Sequence, residues 1–395
     1  MSIDVDLARS LTPGTQHVVH LNNAGSALPP QPVIDAVSTF LQREATIGGY
    51  EAEAEALGEL ERVYDSIAGM IGAHRDEVAI VESATAAWNA AFTSIPFAAG
   101  DRILTGRTEY ASNAINLLLA AERYGVEIVV VDDDDHGQIS VDGLRDAIDE
   151  RTRLIALTHV ATSGGLVNPA AAVGRLARDA GVLFLLDACQ SVGQRVLDVE
   201  ELHCDMLSAT GRKFLRAPRG TGFLYVRHAI LDHLHPAQLD LRSATWTGPD
   251  SYDVTSTARR FEEWESSKAL QLGLGAAVEH AMSWGLENIA ERTTGLAVRL
   301  RRMLAELPGV SVHDKGVDMC GIVTFSLGGV AAPDLKSVLT SEGINTSVAA
   351  FTSAQYDFPR RGLEQVVRAS PHYYNTEAEV HRLVDVVASL AEVSA

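Results

Sequence analysis

Short apolar runs alternate with helical patterns between about residues 75 and 230, and this alternation restricts the fold more than any other feature. Runs that are apolar throughout indicate strands buried on both faces, and helices between them favour parallel connections. The pattern therefore predicts an α/β fold with a mostly parallel sheet flanked by helices, in which ligands bind beyond the carboxyl ends of the strands. The predicted strands are Val78–Val81, Arg102–Leu104, Glu127–Val131, Leu154–Thr158, Val182–Leu186, Met206–Ser208 and Gly222–Val226, and the helices between them are Ala86–Ile95, Ala111–Tyr124, Val141–Glu150 and Pro169–Ala180.

The pattern changes near residue 261, where a long helical stretch, Ser266–Leu307, begins a different arrangement. Strand-like and helical segments follow it and predict a smaller α+β C-terminal domain. The segment Arg242–Thr257 is rich in small and polar residues and predicts a long loop near the join. We expect an N-terminal segment, 1–16, a large domain, 17–260, and a small domain, 261–395. The later segments are Gly321–Leu327, Leu335–Glu342, Val366–Ala369 and Ala378–Glu392.

Composition excludes several classes of protein. The formal net charge of −20 argues against a nucleic-acid partner, because phosphate backbones are bound by clustered cations. No apolar run reaches the length of a membrane span, which argues against a membrane protein. The start of the chain, Met1–Asp6, lacks the basic and apolar parts of a signal peptide, so we expect a cytoplasmic protein.

The three cysteines, Cys189, Cys204 and Cys320, are scattered, and each lies in or beside an apolar run. Free cysteines in such positions are usually small buried hydrophobes. No Cys-x-x-Cys or comparable spacing is present, so no metal site is expected.

A carboxylate and a lysine follow two neighbouring predicted strands. Asp187 ends the run Val182–Leu186, and Lys213 lies in the polar loop Ser208–Phe214. Enzymes that use pyridoxal 5′-phosphate (PLP) need a lysine amine for the Schiff base and a carboxylate that keeps the pyridine nitrogen protonated. A lone loop lysine is normally solvated and a lone aspartate often caps a helix, so the interpretation depends on the neighbouring residues.

Those neighbours supply the remaining parts of such a site. Ser83–Trp88 follows a strand and opens a helix, where amides and hydroxyls can hold a phosphate, although a serine there can be only a helix cap. Arg368 lies in an apolar run, where a guanidinium needs a partner such as an amino-acid carboxylate. Arg301 and Arg302, in contrast, read as helix surface.

Several motifs together resemble the class V aminotransferase family of PLP enzymes, which includes cysteine desulfurases, selenocysteine lyases and isopenicillin N epimerases. The resemblance implies a PLP-transferase type I fold, PLP as cofactor, a small-molecule amino-acid substrate, and a homodimer with active sites at its interface. It extends over nearly the whole chain, through the motifs His20–Gly25, Thr158–Val160, Asn168–Pro169, Leu186–Gln190, Thr210–Lys213, Gly220–Val226 and Arg368–Thr376.

The resemblance also implies a role for each matching residue. Lys213 would form the Schiff base and act as the acid/base at the α-carbon, and Asp187 would bind the pyridinium. Tyr110 would stack on the ring and contribute to catalysis, and Gln190 would bind the phenolic oxygen, with Thr162 nearby. Arg368 would bind the substrate carboxylate with help from Asn23. The phosphate would be held by Thr85, the Ala86 backbone, Thr210 and Arg212.

The chain departs from the family pattern in two places. Desulfurases carry a persulfide-forming cysteine shortly before the carboxylate-binding arginine, whereas Val348–Tyr356 contains none and Cys320 reads as the start of a buried strand. Many relatives also have Gly-Thr after Arg-Phe-Glu, and this threonine reaches the partner subunit's phosphate. Here Glu265 intervenes, so Ser266 or Ser267 would serve instead or the contact would be lost.

The missing cysteine favours a C–S lyase that acts on an L-cysteine S-conjugate by α-proton abstraction and β-elimination, giving thiol, pyruvate and ammonia. The alternative is isopenicillin N epimerase-like chemistry, or transamination or oxidative deamination of an amino acid. A cysteine desulfurase or selenocysteine lyase is disfavoured. A non-catalytic binding module is disfavoured by the intact residue set, and a nicotinamide dehydrogenase by the absence of Gly-x-Gly-x-x-Gly after the first strand.

Overall fold

The structure is a computed structural model that describes residues 3–394, so Met1 and Ser2 of the predicted N-terminal segment lie outside it. The α-helices are α1 (Val5–Ser10), α2 (Asn23–Ser26), α3 (Gln31–Ile47), α4 (Gly49–Ile71), α5 (Ala84–Thr93), α6 (Ala111–Tyr124), α7 (Val141–Ala147), α8 (Ala170–Ala180), α9 (Val199–Leu202), α10 (Lys268–Trp284), α11 (Leu286–Ala305), α12 (Ala332–Ser341) and α13 (Glu377–Ser394). The strands are β1 (Val19–His20), β2 (Val78–Val81), β3 (Arg102–Thr105), β4 (Glu127–Val130), β5 (Thr152–Thr158), β6 (Leu183–Asp187), β7 (Met206–Thr210), β8 (Gly222–Val226), β9 (Ala244–Gly248), β10 (Ser251–Val254), β11 (Val310–Val312), β12 (Val323–Leu327), β13 (Ile344–Asn345), β14 (Ser347–Ala350) and β15 (Gln365–Ala369).

The central sheet has seven strands in the order β2-β8-β7-β6-β5-β3-β4. Only β8 runs against its neighbours, so the sheet is mostly parallel, as predicted. The register aligns Thr158 of β5 with Asp187 of β6, and Asp187 with Ser208 of β7. The carboxyl ends of three neighbouring strands therefore meet at one edge of the sheet, where the fold class places ligands.

Helices cover both faces of this sheet, which explains the uninterrupted apolar runs. Along β6, Phe184 and Leu186 belong to one hydrophobic core with α8, and Leu185 belongs to a second core with Trp88 of α5. Successive strand residues point to opposite faces, so a strand with both faces covered must be apolar at every position.

A second, antiparallel sheet has the order β11-β12-β15-β14 and packs with α11, α12 and α13. Arg368 lies on β15 and pairs in register with Thr324 of β12 and Ser347 of β14. The short strand β1 pairs in parallel with β13, through Val19 and Ile344. The segment after β1 is thereby held beside Arg368.

Three expectations about local structure were wrong. The predicted long loop Arg242–Thr257 contains the hairpin β9–β10, whose turn follows Gly248. The predicted helix Ser266–Leu307 is two helices, because Gly285 adopts φ +80 and ends α10. Arg301 is not on the helix surface: it is 8% exposed and pairs with Asp314 at 2.6 Å.

Helices α3 and α4 were not anticipated. They meet at Gly48, whose φ of +103 allows the sharp change of direction, and both pack against α10. Few apolar residues of α3 face a core, since it buries only Val33 and Phe40, whereas α4 buries eight residues between Ala52 and Ile71. A helix with so narrow an apolar stripe gives a weak periodic pattern in the sequence.

Candidate active site

The ends of β6 and β7, the segment before α6 and the start of α5 line a small cavity. Six of the eleven residues predicted for the site line it, together with four that were not predicted. The predicted residues are Thr85, Tyr110, Asp187, Thr210, Arg212 and Lys213, and the others are Ser83, Ala84, Asn113 and Cys189.

Lys213 is 5% exposed, and its amine lies 5.8 Å from the centroid of the Tyr110 ring. The loop that carries it packs closely at Gly211, where an added Cβ would collide with Thr221 and Ala217. The amine and the aromatic ring therefore face the same enclosed space. A cation beside an aromatic face is weakly favourable by itself.

Asp187 is 4% exposed and is held from two sides. Its Oδ1 accepts from the amide of Cys189 and its Oδ2 from Nδ2 of Asn113, each at 2.9 Å. Burial raises the pKa of Asp187, while these two hydrogen bonds and the nearby Lys213 lower it. A fixed, buried carboxylate of this kind suits a cationic ring nitrogen.

The start of α5 provides amide donors to the cavity. Ser83 caps the helix by accepting from the amide of Ala86 at 3.1 Å, so the Ala86 amide is already engaged. Ala84 and Thr85 line the cavity, and first-turn amides have no partner within the helix. The free amide donors at this helix start are therefore those of Ala84 and Thr85, and not the predicted amide of Ala86.

Thr210 and Arg212 complete the polar wall. Thr210 is buried, and its hydroxyl donates to the carbonyl of Thr221 at 3.3 Å. Arg212 is half-buried and donates through Nη1 to the carbonyl of Gly25. A hydroxyl, a guanidinium and amides of a helix start form a donor set suited to a phosphate.

Gln190, Thr162 and Arg368 form a second group next to the cavity. Gln190 donates through Nε2 to the carbonyl of Ala24 and to the hydroxyl of Thr162, each at 3.1 Å. Arg368 donates to the carbonyl of Thr162 at 3.0 Å. Two buried polar atoms of this group, Oε1 of Gln190 and Nε of Arg368, have no hydrogen-bond partner.

Arg368 is 7% exposed, and no carboxylate among the described residues lies within 4.0 Å of it. Burial, with a smaller contribution from Arg212, lowers the pKa of Arg368 to about 10, so the guanidinium stays charged near neutral pH. A buried cation without a counter-ion is costly unless a ligand supplies the negative charge. This is the clearest indication of an anion site on the substrate side.

Asn22 and Asn23 follow β1, and their contacts differ from what the sequence predicted for Asn23. Asn23 is fully buried and uses its side chain within the protein: Nδ2 donates to Ser370 at 2.7 Å, and Oδ1 accepts from Tyr374 at 2.6 Å. The side chain that reaches Arg368 is Asn22, at 3.4 Å. Sequence reasoning missed Asn22, which is placed there by its bridge to Ser370, two residues after Arg368.

The cysteines also differ from expectation in one case. Cys204 and Cys320 are buried, as predicted, but Cys189 is half-buried and lines the cavity beside Lys213. Burial raises the pKa of the Cys189 thiol, and Lys213 opposes this shift. Among the described residues no group of histidines, cysteines and carboxylates could hold a metal ion.

Comparisons with known proteins identify the family. A family model described as aminotransferase class-V matches residues 19–383, so the chain belongs to the class-V aminotransferase family. It is a PLP-dependent enzyme with the PLP-transferase fold. The residues present fit that cofactor, because one cavity joins a buried lysine, a fixed carboxylate and a phosphate-type donor set.

Three relatives illustrate the similarity. A cysteine desulfurase of Escherichia coli O127:H6 is 31% identical, with 97% of both chains covered. The apo structure of a cysteine desulfurase from Thermococcus onnurineus NA1 is 26% identical, with a TM-score of 0.93, and covers 100% of this chain and 99% of its own. A complex of the cystine C-S lyase C-DES with its reaction product cysteine persulfide has a TM-score of 0.85 over 95% of this chain and 99% of its own; at 21% identity, it shows likeness of fold alone.

None of the helices in the described part of the chain combines the length and apolar character that crossing a bilayer requires.

Proposed function

We propose that this enzyme cleaves the C–S bond of an L-cysteine S-conjugate and releases the sulfur with its substituent as a thiol. Two observations carry the proposal: the buried Arg368 has no carboxylate partner among the described residues, and segment 351–361, which borders the cleft at Thr162, contains no cysteine. An α-amino acid supplies the carboxylate that Arg368 lacks.

The proposed roles follow from the contacts. Bound PLP would act as an electron sink when a bond to the α-carbon breaks. Lys213 would attach the cofactor and, once displaced by the substrate amine, remove the α-proton. Asp187 would hold the ring nitrogen, and Tyr110 would cover the ring face. Gln190 would meet the phenolic oxygen, and the phosphate would be held by Thr85, Thr210, Arg212 and the amides of Ala84 and Thr85.

On the substrate side, Arg368 would fix the carboxylate through two donors, with Asn22 and Thr162 orienting the guanidinium. The α-carbon would then lie near the Lys213 amine. The electron pair left by the departing proton forms a Cα–Cβ double bond as the C–S bond breaks, and the sulfur leaves as a thiolate. Water then converts the three-carbon fragment to pyruvate and ammonia.

Segment 351–361 supports release of the thiol rather than transfer of sulfur to the protein. Ser353 and Ala354 line a cleft that also touches Tyr110 and Thr162, so this segment borders the substrate side. It contains no cysteine.

Cysteine desulfurase is the second candidate, and the relatives favour it. The similar proteins from curated sets are cysteine desulfurases, which points to cysteine itself as the substrate. Cys189 is the one thiol lining the cavity within the described residues. It lies beside Lys213 and Asp187, however, away from the cleft bordered by segment 351–361.

The two candidates differ in their products. The purified enzyme is loaded with PLP and supplied separately with S-alkyl-L-cysteines and with L-cysteine, while pyruvate, free thiol, alanine and sulfide are measured together. Equal amounts of pyruvate and thiol from S-alkyl-L-cysteines support the proposal. Alanine from L-cysteine with an equal amount of sulfane sulfur, released as sulfide by an added dithiol reductant, and no turnover of the conjugates, would replace it with the desulfurase. Solvent deuterium at the α-carbon without elimination would indicate an epimerase.

We also propose that two copies form a homodimer with active sites at the interface. Aromatic side chains of the hairpin and of the segment after it are largely exposed: Trp246 75%, Tyr252 61% and Trp264 51%. Trp246 and Tyr252 are opposite each other in the hairpin, and exposed aromatic side chains that lie together are typical of an interaction surface. The same segment lines a cavity next to α5, where Ala86, Glu265 and Ser266 meet. Light scattering would show a dimer mass, and a monomer mass for active enzyme would contradict it.

A further inference from the structure

A second buried carboxylate shares a hydrogen-bond donor with Asp187. Glu109, the residue before Tyr110, is 7% exposed, and within the described chain no cation lies within 4.0 Å of it. Four donors surround it instead. They are the hydroxyls of Thr105 (2.9 Å) and Thr158, the amide of Tyr110 (2.8 Å) and Nδ2 of Asn113 (2.9 Å).

Asn113 connects the two carboxylates. It is 2% exposed and lies in the first turn of α6, four residues after Glu109. Its Nδ2 lies 2.9 Å from Oε1 of Glu109 and 2.9 Å from Oδ2 of Asp187, so both hydrogens of one amide group are committed to carboxylate oxygens. The amide therefore fixes the two carboxylates relative to each other.

The pair is electrostatically unusual. Burial raises the pKa of each carboxyl, and the charge of Asp187 raises the pKa of Glu109 further. Lys213 is the cation that acts on Asp187. The other titratable or charged groups that face the pair are Tyr110 and Arg107 before α6, Cys189 and Arg212 at the cavity, and Tyr356, whose pKa Glu109 raises. Arg107 is committed to Asp132 and Asp133.

The negative charge of Glu109 repels that of Asp187. A protonated ring nitrogen on the other side of Asp187 relieves this repulsion, so Asp187 binds that proton more strongly. We infer that Glu109 and Asn113 are positioning residues, which aim Asp187 at the cofactor's ring nitrogen and strengthen its hold on the proton there. The inference rests on the proposed role of Asp187 but not on which bond of the substrate is cleaved.

A purely structural role is the competing explanation, because Glu109 also ties the end of β5 to the start of α6 through Thr158 and Tyr110. The isosteric change Glu109→Gln separates the two. The amide keeps the shape and can still bond to the surrounding hydroxyls, but it cannot carry the charge. Thr105→Val is the matched control, because it removes one hydrogen bond to Glu109 and leaves the charge.

The experiment uses the holoenzyme loaded with PLP that carries ¹⁵N in the ring, and follows the ring-nitrogen NMR shift against pH without substrate. Asp187→Asn, which should leave the nitrogen unprotonated, calibrates the signal. We expect Glu109→Gln to lower the apparent pKa of the ring nitrogen by about one unit, the lower end of the range for a nearby charge, and Thr105→Val to leave it unchanged. Asn113→Ser, which removes the bridge but not the charge, should shift it in the same direction.

Two results would overturn the inference. One is a ring-nitrogen pKa equal to that of the wild type in both Glu109→Gln and Asn113→Ser. The other is a pKa shift in Thr105→Val equal to that in Glu109→Gln. If Glu109→Gln fails to fold, Asn113→Ser tests the bridge, and wild-type titration in that variant would overturn the inference. No substrate is added in this experiment, so it is independent of the reaction proposed above. A failed C–S cleavage assay would not affect this inference, and a wild-type-like titration would not affect the proposed reaction.

Discussion

The two sides of the candidate site differ in how far the protein satisfies its own polar groups. On the ring side, Asp187 and Glu109 accept hydrogen bonds from fixed donors, and Asn113 is committed to both. On the substrate side, Arg368 and Gln190 each keep a buried polar atom without a partner. Buried polar groups are nearly always paired, so a buried cation without a counter-ion beside a cavity indicates where a ligand can complete the structure. The ring side is thus preorganised by the fold, whereas the substrate side awaits its ligand.

The largest effect should come from Lys213. Lys213→Ala removes the amine that attaches the cofactor and moves the α-proton, so we expect turnover to fall by at least about 10³-fold, within the range for a general acid/base. The variant should keep its fold, because the side chain lines the cavity. Pyruvate release and the circular dichroism spectrum would be measured together, with Lys336→Ala as the exposed control.

The next largest effect should come from Arg368. Arg368→Leu removes the charge that binds the substrate carboxylate, and loss of one partner of a buried charged pair corresponds to about 100-fold in kcat/KM. The cofactor's absorbance and occupancy should not change, since Arg368 does not line the cavity of Lys213. Arg302→Leu, on the exposed face of α11, is the control. An Arg368→Leu enzyme that keeps its kcat/KM would show that the unpaired guanidinium is not the carboxylate site.

Substitutions at the neighbouring residues Asn22 and Asn23 test the comparison, because Asn22 contacts Arg368 and Asn23 is hydrogen-bonded within the protein. Asn23→Ala leaves the buried hydroxyl of Tyr374 without its acceptor, so we expect a loss of about 1–3 kcal/mol in the free energy of unfolding. Asn22→Ala should leave stability nearly unchanged and lower kcat/KM by about fivefold, the equivalent of one net hydrogen bond to Arg368. Urea unfolding and steady-state kinetics on both variants check this, and the reversed pattern would contradict it.

The smallest effect should come from Cys189. If the thiol only lines the cavity, Cys189→Ala should release pyruvate and thiol from an S-conjugate at the wild-type rate. Loss of sulfide release from L-cysteine in this variant, but not in Cys320→Ala, would make Cys189 a sulfur acceptor and favour the desulfurase.

The same contrast explains what could be predicted from the sequence. The strands were found because a sheet covered on both faces needs uninterrupted apolar runs, and Asp187 and Lys213 follow two of those runs directly. Arg368 was found because a cation is conspicuous in an apolar strand. These residues are marked by their neighbours in the chain.

Residues placed by pairing between distant segments could not be predicted in this way. Asn22 reaches Arg368 because the segment after β1 pairs directly with Ser370, and nothing in the local sequence distinguishes it from Asn23. The buried partner of Arg301, Asp314, comes from a segment beyond the helix. A four-residue spacing did exist between Glu109 and Asn113, directly after a strand, but that spacing alone is common on helix surfaces.

Attachment of PLP to Lys213 is the claim on which the other roles depend, and the chain has only four lysines with which to test it. The holoenzyme is reduced with borohydride, digested, and its lysine peptides are weighed by mass spectrometry. We predict the phosphopyridoxyl mass on the peptide that contains Lys213 and on none of those with Lys268, Lys315 or Lys336. An unmodified Lys213 peptide from fully reduced holoenzyme would contradict the account.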